Sequence, residues 1–178
     1  IGILALEYQL ITQEIFVAII VGAVLSSVFL GPWLSLALKG IKKTGLLRFF
    51  SEEGILPEVR VLEKSDLLNE MILKAGKLSG IETEKIQKAV FDREELMSTG
   101  LEKGIALPHG RIAGLQTPLV IFARSVSGIE WNSLDGNPIR LVFLILTPEG
   151  KADLQLEIYS ALGFLFQDPV KRSFLLEE

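Results

Sequence analysis

The sequence predicts an α/β domain with a central sheet between helices, and ahead of it a helix that spans a membrane. Three observations carry this. Helical and strand-like apolar patterns alternate from about residue 51 to the end. One segment, "IRLVFLILTP" at 139–148, is nearly all apolar, as a strand buried on both faces is. And residues 1–40 hold only three charges, Glu7, Glu14 and Lys39, leaving 17 of the 18 basic and 20 of the 22 acidic residues to the rest of the chain.

Taken in order, the first element is "IFVAIIVGAVLSSVFLGPWLSLAL", residues 15–38, which is 24 residues without a charge. A bilayer crossing needs about 20 apolar residues. A buried core helix of that length normally shows a charged stripe, and here Ser26, Ser27 and Ser35 are the only hydroxyls, so the reading favours a transmembrane helix. Gly31-Pro32 suggests a kink and Trp33 suits an interface. Lys39, Lys42, Lys43 and Arg48 follow the run and only Glu7 and Glu14 precede it, which places residue 41 onward in the cytoplasm, beneath the inner cell membrane. The chain opens on the apolar "IGILALEYQL" without a methionine, and reads as the end of a longer membrane protein. Residues 41–50 form the linker.

In the remainder, "GLLRFFSEEGILPE" (45–58) predicts a short helix and turn, and "VRVL" (59–62) a brief strand. Ser65 is the expected cap of a helix to about Leu78, with Leu67, Leu68, Met71, Ile72 and Ala75 on one face. "SG" at 79–80 ends it, and Thr83 is the expected cap of a second helix over 84–96. "KGIAL" (103–107) predicts a short strand, "PLVIFARSV" (118–126) a strong one, and 127–138 a polar connection. After the strand at 139–148, a helix over about 151–167 has Leu154, Ile158, Ala161, Leu162 and Leu165 as its stripe, and Asp168-Pro169 starts another.

Composition excludes several functions. The net charge is −4 and there is no basic stripe, which argues against nucleic-acid binding. No cysteine means no disulfide and no thiolate metal site. One histidine rules out a histidine-rich metal site, and no cofactor is expected. That single histidine, His109 in "GIALPHG", sits between Pro108 and Gly110 at a strand end, where α/β domains place chemistry. Pro108 fixes the approach of the chain, and Gly110 lets another molecule come close. Three roles are open to it. It is a base for a serine, although no G-x-S-x-G elbow is present; it is a lone metal ligand; or its imidazole is itself the nucleophile. A transferred phosphoryl group needs positive charge and N–H donors, for which Arg93, Arg111 and the Ser98-Thr99-Gly100 backbone are candidates.

The stretch "REELMSTGLEKGIALPHGRIAGL" (93–115), continued by "GIEWNSLDGNPIRLVFLILTP" (128–148) and the helix at 154–166, resembles the enzyme IIA domains of the bacterial phosphoenolpyruvate:sugar phosphotransferase system, mannitol/fructose/nitrogen class. The resemblance covers about residues 51–178. It implies a mixed central sheet flanked by helices. It implies too that His109 accepts phosphoryl from the carrier protein HPr and passes it on, with Arg93 near the active site. Asp153 stands where the family often carries a second histidine. The resemblance therefore implies a carboxylate facing His109, one that raises its pKa and repels phosphoryl. The stretch "ILALEYQLITQEIFVAIIVGAVLSSVFLGPWL" is similar to the end of a cation/proton antiporter's membrane domain. Together these imply a regulatory IIA-like domain attached to an upstream antiporter and anchored in lipid through residues 15–38. The alternative is a working phosphocarrier of a sugar phosphotransferase chain.

Overall fold

The computed structural model describes residue 8, residues 12–39 and residues 46–177, which fall into two compact units divided between Lys43 and Thr44. The first unit contains one helix, α1 (Gln13–Lys39). Thr12 caps it, its hydroxyl accepting the Ile15 N–H at 3.4 Å. Its described apolar side chains, Ile15, Val17, Ile19, Ile20, Val21, Val24 and Leu25 among them, are exposed around much of the helix. The expected helix is therefore present as backbone. Its membrane-spanning character is not borne out, because among the described residues no helix is long and apolar enough to cross a membrane. The side chains of Gly31, Pro32 and Trp33 and the linker residues 40–45 lie outside the described residues.

The second unit is a five-stranded mixed sheet. After a single 3-10 turn (Leu46–Phe49) come β1 (Phe50–Val59), α2 (Lys64–Ser79), α3 (Thr83–Leu96), β2 (Ile105–Ala106), β3 (His109–Ile112), β4 (Leu119–Ile129), β5 (Ile139–Pro148), α4 (Ala152–Gln167) and α5 (Pro169–Glu177). β1 runs parallel to β4, β4 antiparallel to β5, and both β2 and β3 parallel to β5 on its other side. The two short strands keep one register, Ile105 opposite Leu141 and His109 opposite Ile145. They are two halves of one edge strand. Pro108, with no N–H to give, breaks it, while its carbonyl still accepts the Ile145 N–H at 2.9 Å.

β5 shows why the sheet needs helices on both faces. Val142, Leu144 and Leu146 enter one apolar cluster with Leu67, Leu68, Met71 and Ile72 of α2 and Ile86 and Val90 of α3. Leu141, Phe143 and Ile145 enter another with Phe49 and with Ile158 and Leu162 of α4. A period of two with apolar residues at every position gives a strand dry on both sides.

Four expectations need correction. Residues 50–58 are strand, with only 46–49 helical; β1 has register shifts after Phe50 and after Leu56, so its buried positions do not alternate. Ser65 and Thr83 do not cap their helices, since the capping positions are Glu63 and Glu82 and neither makes a side-chain cap. β4 continues to Ile129 through a bulge after Arg124, into what read as a polar connection. β3 is a strand that the sequence did not announce, because its Gly and Arg hide the alternation. Two endings match expectation: Gly80 closes α2 with φ 71° and an N–H to the Gly76 carbonyl, and the Asp168 carboxylate caps the Val170 N–H at 3.0 Å.

Candidate functional site

His109 opens β3 with its ring half-buried on the α4 side of the sheet. Its Nδ1 lies 2.9 Å from the Leu107 carbonyl oxygen. A carbonyl only accepts, so Nδ1 holds the proton and, in the neutral ring, Nε2 keeps its lone pair. Burial lowers the His109 pKa below 6.5; the Leu107 bond and Glu94 oppose this, and the Arg93 and Arg111 guanidinium groups reinforce it. At neutral pH the ring is an uncharged nucleophile with two cations close enough to act on it.

Arg93 is the last basic residue of α3, and its Nη1 donates to the Met97 carbonyl at 3.1 Å. Arg111 is two residues beyond His109 on the same face of β3, and its Nε donates to Gln155 Oε1 at 3.3 Å. Arg93 is half-buried and Arg111 exposed, and both bear on the His109 ring. The structure thus brings His109, Arg93 and Arg111 to one place.

Asp153 does not join them. It lies exposed in the first turn of α4, and the charges acting on His109 are Arg93, Glu94 and Arg111. The expected rise in the histidine pKa from an Asp153 carboxylate is replaced by a fall. Ser98, Thr99 and Gly100 also differ from expectation. The Ser98 hydroxyl donates to the Trp131 carbonyl at 2.7 Å, the Thr99 N–H and hydroxyl both donate to Glu94, and the Gly100 N–H donates to Ser98 Oγ at 3.2 Å. These donors serve the scaffold, not an incoming anion. Gly110 is roofed by α3: a Cβ there would stand 3.3 Å from Val90 Cγ2 and 3.4 Å from Ala89 Cβ. Its lack of a side chain admits the helix, not another molecule.

Sequence reasoning missed the residue that organises this scaffold. Glu94 is buried, and its carboxylate also accepts from Trp131 Nε1 at 3.0 Å and Lys64 Nζ at 3.3 Å. A line of bonds runs from it to the histidine. Glu94 holds Thr99, the Thr99 carbonyl accepts the Leu107 N–H at 3.1 Å, and the Leu107 carbonyl accepts from His109. The signal was legible, because Glu94 continues the buried row Ile86, Val90 of α3, where a carboxylate has no place without partners. Tyr159 and Gln155 were missed as well. Tyr159 meets the His109 ring edge-on, centroids 5.7 Å apart at 81°, and its hydroxyl accepts from Gln155 Nε2 at 2.7 Å. Among the described residues no group of three His, Cys, Asp or Glu is placed to hold a metal ion.

A mixed sheet between two helical layers, with one histidine on an interrupted edge strand and two arginines beside it, defines an enzyme IIA type of domain. Residues 48–177 match the family "Phosphoenolpyruvate-dependent sugar phosphotransferase system, EIIA 2", and the chain belongs to it. Nitrogen regulatory protein of Bradyrhizobium diazoefficiens is 35% identical over 116 residues, 65% of this chain and 76% of that protein. The fructose-specific EIIABC component of Bacillus subtilis is 39% identical over 118 residues, which are 65% of this chain but only 18% of that protein's length. Among solved structures, nitrogen regulatory protein IIA-Ntr from Neisseria meningitidis superposes with a TM-score of 0.69 at 30% identity, covering 74% of this chain and 90% of that one. The mannitol enzyme IIA of Escherichia coli, solved in complex with phosphorylated enzyme IIB, shares the fold at a TM-score of 0.62 and 22% identity, over 72% of this chain and 90% of that one.

Proposed function

We propose that His109 carries a phosphoryl group on Nε2, and that the domain serves as the regulatory module of a membrane protein, a cation/proton antiporter. The observation that carries the first part is the Leu107 bond to Nδ1, which leaves Nε2 as the free nucleophile between Arg93 and Arg111. The Nε2 lone pair attacks the phosphorus of a phosphohistidine donor of the HPr kind. The N–P bond to Nε2 forms as the donor's N–P bond breaks, and the donor ring leaves with that electron pair. The proton stays on Nδ1, donated to the Leu107 carbonyl throughout, and this bond stabilises the ring as it gains positive character. Arg93 and Arg111 face the oxygens of the transferred group and balance their charge.

Support for the second part lies in α1 and its flanks. The helix covers the 24-residue uncharged run, its described apolar side chains are exposed, and the basic residues cluster on its C-terminal side. The identity to a fructose-specific protein favours a second reading, a phosphocarrier within a sugar phosphotransferase chain.

Transfer of labelled phosphate from phospho-HPr to the chain tests the first part. Wild type takes up label and His109→Ala takes up none; no uptake by wild type refutes it. For the second, a cysteine at Lys43 reacts with a permeant reagent and not with an impermeant one in intact cells. Cation-driven proton movement in membrane vesicles, altered by His109→Ala, then separates the antiporter reading from the sugar one.

A further inference from the structure

Three side chains beside His109 fix one another's orientation in an order that leaves a single hydrogen over. The Arg111 guanidinium only donates, and it meets Gln155 at 3.3 Å, so the Gln155 amide presents its oxygen there. Its NH2 group then faces Tyr159, 2.7 Å from the phenolic oxygen. That oxygen accepts. The Tyr159 hydroxyl proton donates to no protein group among the described residues. Burial raises the Tyr159 pKa from 10, so the proton stays on at neutral pH. The same two guanidinium groups, Arg93 and Arg111, act on both Tyr159 and His109. The edge-on contact at 5.7 Å keeps Tyr159 beside the imidazole without covering it.

We propose that the Tyr159 hydroxyl donates a hydrogen bond to the phosphoryl group carried on Nε2 of His109, as the neutral third member of an anion cradle with Arg93 and Arg111. This rests on the phosphoryl-acceptor reading above. Gln155 acts one step back. Locked by Arg111, it turns the phenol so that its proton points away from the amide and toward the anion. A phenol suits this position because it adds a directed bond without adding charge, so the group is held but remains transferable.

The test compares wild type with Tyr159→Phe, which keeps the ring and removes the one donor. Both are equilibrated with phospho-HPr generated from phosphoenolpyruvate, and the transfer equilibrium constant is read from labelled phosphate. We expect the constant to fall about tenfold in Tyr159→Phe, as for the loss of one hydrogen bond to a charged group, with the thermal midpoint close to wild type. A change in the phosphorus NMR shift of phosphohistidine accompanies it. Equal constants and equal shifts overturn the proposal while leaving the phosphoryl-acceptor reading intact. Failure of wild type to accept phosphoryl overturns that reading and the proposal with it. In wild type alone, the Tyr159 Cζ resonance shifts when His109 is phosphorylated; an unmoved resonance overturns the proposal even if Tyr159→Phe does not fold.

Discussion

Replacing Glu94 by alanine tests the scaffold beneath the histidine. The substitution strips acceptors from the Thr99 N–H, the Thr99 hydroxyl, Trp131 Nε1 and Lys64 Nζ. Lys64 is 31% exposed at its side chain and turns to water at little cost. Thr99 is 6% exposed and Trp131 is 1% exposed, so the Thr99 amide, the Thr99 hydroxyl and the indole N–H stay buried without partners. Each buried donor left unpaired costs about 1–3 kcal/mol. The three together cost about 3–9 kcal/mol, a large part of the ~5–15 kcal/mol that holds a domain of this size. Urea unfolding of the isolated second unit, followed by Trp131 fluorescence, gives the loss directly. Thr99→Val, which removes the hydroxyl but keeps the amide on Glu94, loses less. A loss under about 1 kcal/mol for Glu94→Ala refutes the view that this carboxylate organises the site. So does a loss equal to that of Thr99→Val.

Three further outcomes concern the site and its packing. Arg93→Ala removes a charge that lowers the His109 pKa, so the histidine titrates at higher pH than in wild type by proton NMR; an unmoved midpoint places Arg93 away from the ring. The folded protein, its histidine pKa lowered, binds fewer protons than the unfolded chain, so stability falls as pH drops below about 6.5 and levels off under the folded pKa; the fall is smaller in Arg93→Ala. Gly100→Ala sets a methyl 2.9 Å from Trp131 Cδ1 and 3.1 Å from the Ser133 Cα; overpacking of this kind costs about 1–3 kcal/mol, read as a lower urea midpoint, and an unchanged midpoint contradicts the packing described.

The sequence revealed most where one local rule acted alone. The strand at 139–148 was legible because burial on both faces leaves no polar position, and the end of α2 because Gly80 takes a conformation that favours glycine. β1 was illegible because bulges break its alternation, and its Phe49-Phe50 start reads as easily as helix. In the site, His109 was found by its rarity and Arg93 and Arg111 by charge. Glu94, Gln155 and Tyr159 were not, because their meaning lies in partners far along the chain, such as Arg111 for Gln155, 44 residues away. Asp153 misled for the opposite reason: a position counted along the chain says nothing about which way the helix turns it.

The broken edge strand bears on how the protein avoids unwanted company. A sheet's outer rim is where a stray strand from another molecule can add itself. Along β2 that rim is already occupied, by the Leu101 N–H on the Ile105 carbonyl at 2.8 Å and by the Leu107 N–H on Thr99. Pro108 then interrupts the row of donors, and beyond it lies β3, four residues that include a glycine and an arginine. An intruding strand finds too short a template to hold. A docking protein needs only the imidazole, so the rim stays closed to aggregation at the place where it stays open to chemistry.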